Sequence, residues 1–134
     1  MIATGDVRAH LINQSLVVSG VTSGSDWVCL TTGFTDRVAA PQVALIATSG
    51  FDAIAAHGTP GITRPGVQIL VRGLPNTYSV TKTKVESIWN ALQRKRFGGL
   101  QIIEGVGTPI WLGFTEDQNE PQWSMNFIAI TQQN

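Results

Sequence analysis

"RPGVQILVRGLPNTYSVTKTKVESIWNAL", Arg64 to Leu92, decides the fold. Val67, Ile69 and Val71 alternate with Gln68, Leu70 and Arg72, the period-two pattern of a strand with one buried face. Pro75 stops the strand, and Asn76 or Thr77 is placed to cap a following helix. In that helix Tyr78, Thr81, Val85, Ile88, Trp89 and Leu92 share an arc of about 100°, while Lys82, Glu86, Asn90 and Arg94 point elsewhere. Gly98–Gly99 are the expected stop.

Working outward, "GDVRAHLINQSLVV" (5–18) spaces Val7, Leu11, Ile12 and Leu16 as a second amphipathic helix, begun near Thr4 to Asp6 and ended before Gly20. "GVTSGSDW" is loop by composition, and "WVCLTT" (27–32) a short strand. "PQVALIATS" (41–49) is apolar on both faces, as an interior strand is. Residues 50–66 carry four glycines and two prolines and are expected to be a long functional loop. Three strands close the chain: "LQIIEG" (100–105), "PIWLGFT" (109–115) and "QWSMNFIAIT" (122–131). The turn "GVG" is expected to join the first two as a hairpin, and the acidic tip "EDQNEP" the last two. The expected architecture is α+β: one domain over 1–134, with a mixed, mostly antiparallel sheet and two helices packed on one face.

Charged residues are 13% of the chain and hydrophobic residues 43%. That charge share is about half the usual one, which suits a subunit that buries much of its exterior against neighbours. The four tryptophans fit either an interface or a Trp-rich core. Nine basic and nine acidic residues cancel, so no bulk field draws nucleic acid or anionic membrane. Cys29, the single cysteine, forms no internal disulfide and fits a reducing cytoplasm. No signal-peptide pattern opens the chain, and no apolar run reaches a membrane span, so a soluble protein made in the cytoplasm is expected.

Catalytic patterns are sparse. The glycines of "SGVTSGSDW" lack the Lys-Ser/Thr ending of a phosphate loop, and there is no Gly-x-Ser-x-Gly elbow, His-Glu-x-x-His or Cys-x-x-Cys. Asp52 and His57 lack an evident third metal ligand. Cys29 as a nucleophile would need His10 or His57 as base, but between Val28 and Leu30 it reads as a small buried residue. Glu116, Asp117 and Glu120 do not follow the calcium-loop spacing and read as a solvated tip. Arg94, Lys95 and Arg96 complement helix C-terminal carbonyls and have no aromatic platform beside them for nucleic acid. No cofactor or metal is expected, and the chain reads as a non-enzyme.

"RPGVQILVRG", then "TYSVTKTKVESIWNAL", then "PIWLGFTEDQNEPQWSMNFIAI" resemble the tail terminator (minor capsid) family of long-tailed bacteriophages. The resemblance covers about residues 60–131. It rests on Pro65, Gly66, Val67, Gln68, Val71, Arg72, Gly73, Tyr78, Ile88, Leu92, Leu112, Gly113, Ser124, Asn126 and Phe127. It departs at Lys82–Lys84, where the family often has Ala, and at the variable stretch Gly58–Arg64. The family implies a ring, commonly a hexamer, at the head-proximal end of the tail tube, ending tube growth and docking head completion (connector) proteins. The implied location is the virion neck, with DNA passing through the ring and neither a membrane nor specific nucleic-acid binding involved. On that reading the contact residues are Phe51, Ile54, Ile62 and Arg64 of the 50–66 segment, Arg72, and an Arg94/Arg96 cluster pairing with Glu116 and Asp117 across the ring. The alternatives are another neck or head–tail joining protein, or a small ligand-binding or enzymatic α+β domain using Cys29 or the Asp52–His57 pair.

Overall fold

β3 (Ile62–Arg72) and α2 (Tyr78–Leu92) form where the two periodicities place them. The computed structural model describes residues 3–18, 27–31, 34, 41–54, 62–97, 102–116 and 118–132; for 3–4, 49–54, 62–64 and 131–132 it describes the backbone alone. Around the central unit lie α1 (Ala3–Asn13), β1 (Val28–Leu30), β2 (Gln42–Ile54), β4 (Ile102–Gly105), β5 (Ile110–Phe114) and β6 (Pro121–Gln132). The strand order is β1-β2-β3-β6-β4, with β5 also on β6. β1 runs parallel to β2, and every other pairing is antiparallel.

Register turns the alternation into a core. The pairings Val43↔Val71↔Trp123, Leu45↔Ile69↔Met125 and Ala47↔Val67↔Phe127 lay three rows across β2, β3 and β6 on one face. Onto those rows pack Val7 and Leu11 of α1 and Val85, Ile88 and Leu92 of α2, all part of one buried cluster. The expected α+β layering is therefore present, with both helices on one face. Gly73 admits the helix: a Cβ there would collide with the Thr81 side chain.

Four boundaries differ from the sequence expectation, and at three of them a long-range pairing prevails over a local signal. The 50–66 segment is strand at both ends: Phe51 pairs with Arg64 and Ile54 with Ile62. Register shifts after Thr48 and Phe51 absorb its irregularity. Pro65 falls in a gap of the β3–β6 ladder, between Thr63↔Thr131 and Gly66↔Ile128, where its missing N–H costs nothing. Residues 55–61 of the expected loop lie outside the described residues.

The "GVG" hairpin is absent. β4 and β5 run in the same direction, end to end along one side of β6, with residues 106–109 bulging opposite 125–126. The Val106 N–H still reaches the Asn126 carbonyl at 2.7 Å, so the pair forms one interrupted edge strand. Of these last three strands only β5 and β6 make a hairpin, and the expected three-strand meander is not formed.

α2 ends at Leu92, before Gly98–Gly99, which lie outside the described residues. Gln93 is extended (ψ 119) and Arg94 left-handed (φ 57). The chain turns there because the Arg94 N–H donates to Ile103 O (2.8 Å) and the Ile103 N–H to Lys95 O (3.1 Å), tying it to β4. Thr77 stands at the N-cap without capping; its hydroxyl donates to Leu74 O at 2.6 Å. α1 stops at Asn13 in a turn through Ser15 (φ 60), so Leu16 reaches the core from outside the helix, and Val18 forms a bridge to β1.

Ile88 is fully buried between α2 and the sheet. Ile88→Ala is expected to lower unfolding free energy by about 2–5 kcal/mol, measured by urea denaturation, while Lys82→Ala on the exposed side changes it by less than about 0.5 kcal/mol.

Candidate subunit interface

Among the described residues β5 is an edge strand, made almost wholly of apolar residues, "IWLGF", and none of Ile110, Trp111, Leu112 or Phe114 is buried. Ile110 and Leu112 are half exposed, at 50% and 52%. A plain strand would put Trp111 and Phe114 on opposite faces. The register shift between Trp111 and Gly113, with Gly113 at φ 98, brings them together instead: their ring centroids are 5.1 Å apart, edge to face.

Two further rings complete the cluster. Trp123 is the cross-strand partner of Trp111, at 5.1 Å. Tyr78, the first residue of α2, meets Trp111 edge-on at 5.0 Å and lies 6.1 Å from Trp123. Trp123 is nearly buried, whereas Tyr78, Trp111 and Phe114 remain 40%, 37% and 45% exposed. The Trp123 indole N–H has no hydrogen-bond partner among the described residues. Val80 and Val106 are also exposed, at 61% and 52%. Residues 106–114 contain no charge, so β5 lacks the lysines that commonly guard a strand edge.

The residues singled out from sequence are scattered. Phe51, Ile54, Ile62 and Arg64 sit at the paired far ends of β2 and β3, and their side chains lie outside the described residues. Arg72 is engaged within the subunit, 3.8 Å from Glu120 and 4.7 Å from the Phe34 ring centre. Glu120 also faces the Thr115 hydroxyl at 3.4 Å, so this carboxylate helps close the β5–β6 turn. Arg94, Arg96 and Glu116 are exposed, and Asp117 lies outside the described residues. The basic cluster borders Ile103, opposite Ala129, and the acidic tip closes β6 at Pro121. They flank opposite ends of β6, so any pairing between them joins different subunits.

Cys29 is buried, and burial pushes its thiol up to about 11, against a smaller opposing pull from Arg8. A thiol so placed holds its proton at neutral pH and is a poor nucleophile. His10 donates from Nε2 to Ala91 O at 3.0 Å and stacks on Phe97 at 4.1 Å, fastening α1 to the end of α2. His57 and the Asp52 side chain lie outside the described residues. Among the described residues no group of three or more His, Cys, Asp or Glu is placed to hold a metal ion. Lys84, within the Lys82–Lys84 departure from the family pattern, donates to Leu16 O at 3.0 Å and lies 5.6 Å from the Trp27 ring centre. Burial lowers its pKa.

Surface cavities lined by Trp27, Leu74 and Val80, by Glu86, Trp89 and Pro109, and by Asp6, His10 and Phe97 measure about 70, 190 and 130 Å³. Each is smaller than the roughly 300–1,000 Å³ of a small-molecule pocket. No family model and no curated protein matches the chain. The aromatic edge was not singled out from sequence. Its signal was a strand apolar on both faces and free of charge, which reads equally as an interior strand.

The Cys29 thiol stands at about 11 when folded against an ordinary 9.0. The native state holds this proton more tightly, so its contribution is whole below pH 9 and is lost as pH rises through 11. The loss is about 2–3 kcal/mol. Urea unfolding between pH 8 and 11 should show that fall, and Cys29→Ala should flatten it relative to wild type.

Proposed function

We propose that this chain is a structural subunit of a bacteriophage virion, the tail terminator. It forms a ring at the head-proximal end of the tail tube, ends tube polymerisation and joins the tail to head completion proteins. The observation that carries the reading is the uncharged aromatic edge of β5, left exposed on a subunit with few charged residues. Exposed apolar area of this kind marks a surface meant for another protein. The family resemblance of residues 60–131 supplies the identity of the assembly.

The mechanism is one of shape. A tube grows because the top of each ring fits the bottom of the next, a heterologous contact that does not close on itself. A terminator ring reproduces one of those faces and presents a different surface on the other, where the head proteins dock. Its partners are further copies of itself, the tail tube protein and a head completion protein, with DNA passing through the opening. This role requires no cofactor. No described helix is long and apolar enough to cross a membrane.

Deleting the gene from its phage is expected to give overlong tails without heads, and labelled chain in purified particles should mark the neck. Tails of normal length attached to full heads would overturn the terminator role.

A further inference from the structure

Each side of the sheet has a covered part and a bare part. On one side β4 is covered by the chain leaving α2: besides the two bonds between Ile103 and residues 94–95, the Gly105 N–H donates to Gln93 Oε1 at 2.6 Å. β5, on the same side, pairs with β6 alone among the described residues. On the other side β1 covers only Gln42, Val43 and Ala44 of β2, and is itself bridged by Val18. From Leu45 to Ile54 the outer side of β2 has no neighbouring strand among the described residues, and Asp52 is the one charged residue there. Among the described residues these are two strand edges whose outward hydrogen-bonding groups meet no partner strand.

We infer that the sheet continues from copy to copy, with the bare edge of β5 pairing antiparallel to residues 45–48 of β2 in the neighbouring copy. This deepens the ring reading above and rests on it. Strand direction fits without adjustment. β2, β3, β6 and β5 alternate in direction, so β2 and β5 point oppositely. Neighbours in the same orientation therefore bring the two edges together antiparallel, the stronger form of pairing. A two-fold β5–β5 contact would also be antiparallel, but it closes at two copies and leaves β2 bare.

The covered parts set the offset. Ile110, Ser124, Leu70, Ala44 and Leu30 form one row across the sheet, so β5 lies level with β1 at the opposite side. A level contact would meet the neighbour's β1. Clearing it takes a shift of about four residues along the strands, about 14 Å at ~3.4 Å per residue. Each copy contributes β2, β3, β6 and β5, roughly 19 Å measured across the strands at about 4.8 Å per strand. That stagger corresponds to strands leaning roughly 35° from the ring axis, at the edge of the 35–45° tilt with which sheets close. An offset that closes gives a ring instead of an open filament.

The test uses two variants of the full chain, one for each edge: Ile110→Lys with Leu112→Lys on β5, and Ala47→Lys with Thr48→Lys on β2. All four residues are exposed. By light scattering at a concentration where wild type forms rings, each variant alone is expected to be monomeric. An equal mixture is expected to form a dimer through its one intact pair of edges. Where a lysine pair lowers the melting temperature, Ile110→Lys and Thr48→Lys singly replace it. Rings retained by either variant, or a mixture that stays monomeric, overturn the edge pairing and leave the ring itself standing. A β2 variant that dimerises alone assigns the contact to a two-fold β5–β5 pair and overturns it too. A monomeric wild type does the same, and tail length in the gene deletion then decides the terminator role by itself.

Discussion

The structure depends on burying one face of the β2–β3–β6 strip under two helices. The rows led by Val71, Ile69 and Val67 supply that face, and α2 presents Val85, Ile88 and Leu92 to it at matching spacing. Fully burying each such side chain is worth about 1.5–3 kcal/mol. A strand order that failed to bring β6 beside β3 would leave Met125 and Phe127 in water. The non-local β3–β6 pairing is thus what commits the chain, and helix length, turn placement and edge structure adjust to it.

That adjustment explains the boundaries. The periodicities of β3 and α2 were legible because each is a local signal that the tertiary structure uses unchanged. Residues 50–66 were read as loop because glycine and proline are turn-formers. They sit in a ladder because register shifts and a gap absorb them. "GVG" looks like a turn, yet β6 is long enough to pair with the chain on both sides of it. The end of α2 was set by hydrogen bonds to Ile103, a residue remote enough that no capping signal near Leu92 announces it.

The aromatic edge was illegible for a different reason. "PIWLGFTEDQNEPQW" fixes which residues are apolar, but whether a strand is interior or at an edge depends on what lies on its far side. β4 obtains a cover from Gln93 and Lys95, whereas β5 has β6 and nothing further among the described residues. Exposure is a property of the sheet and not of the strand. The basic cluster shows the same limit: Arg94 to Arg96 read as helix-end charges, and their backbone also lies in the segment that seals β4.

A monomer would gain little from Tyr78, Trp111 and Phe114 where they stand. Each ring keeps more than a third of its surface in water, and a tyrosine or tryptophan brings about 150–250 Å² of contact area when covered. Replacing the exposed Ile110 and Leu112 by charged residues would leave the Val71, Ile69 and Val67 rows intact, since Trp111 is the β5 side chain that pairs with Trp123. The apolar edge thus contributes little to the fold that a polar one would not. Its cost, a standing tendency to pair with other strands, is offset only if such pairing is what the subunit is for. On the proposed reading the same reasoning accounts for the low charge of the whole chain, because surface that a neighbour covers cannot carry unpaired ions without a desolvation cost.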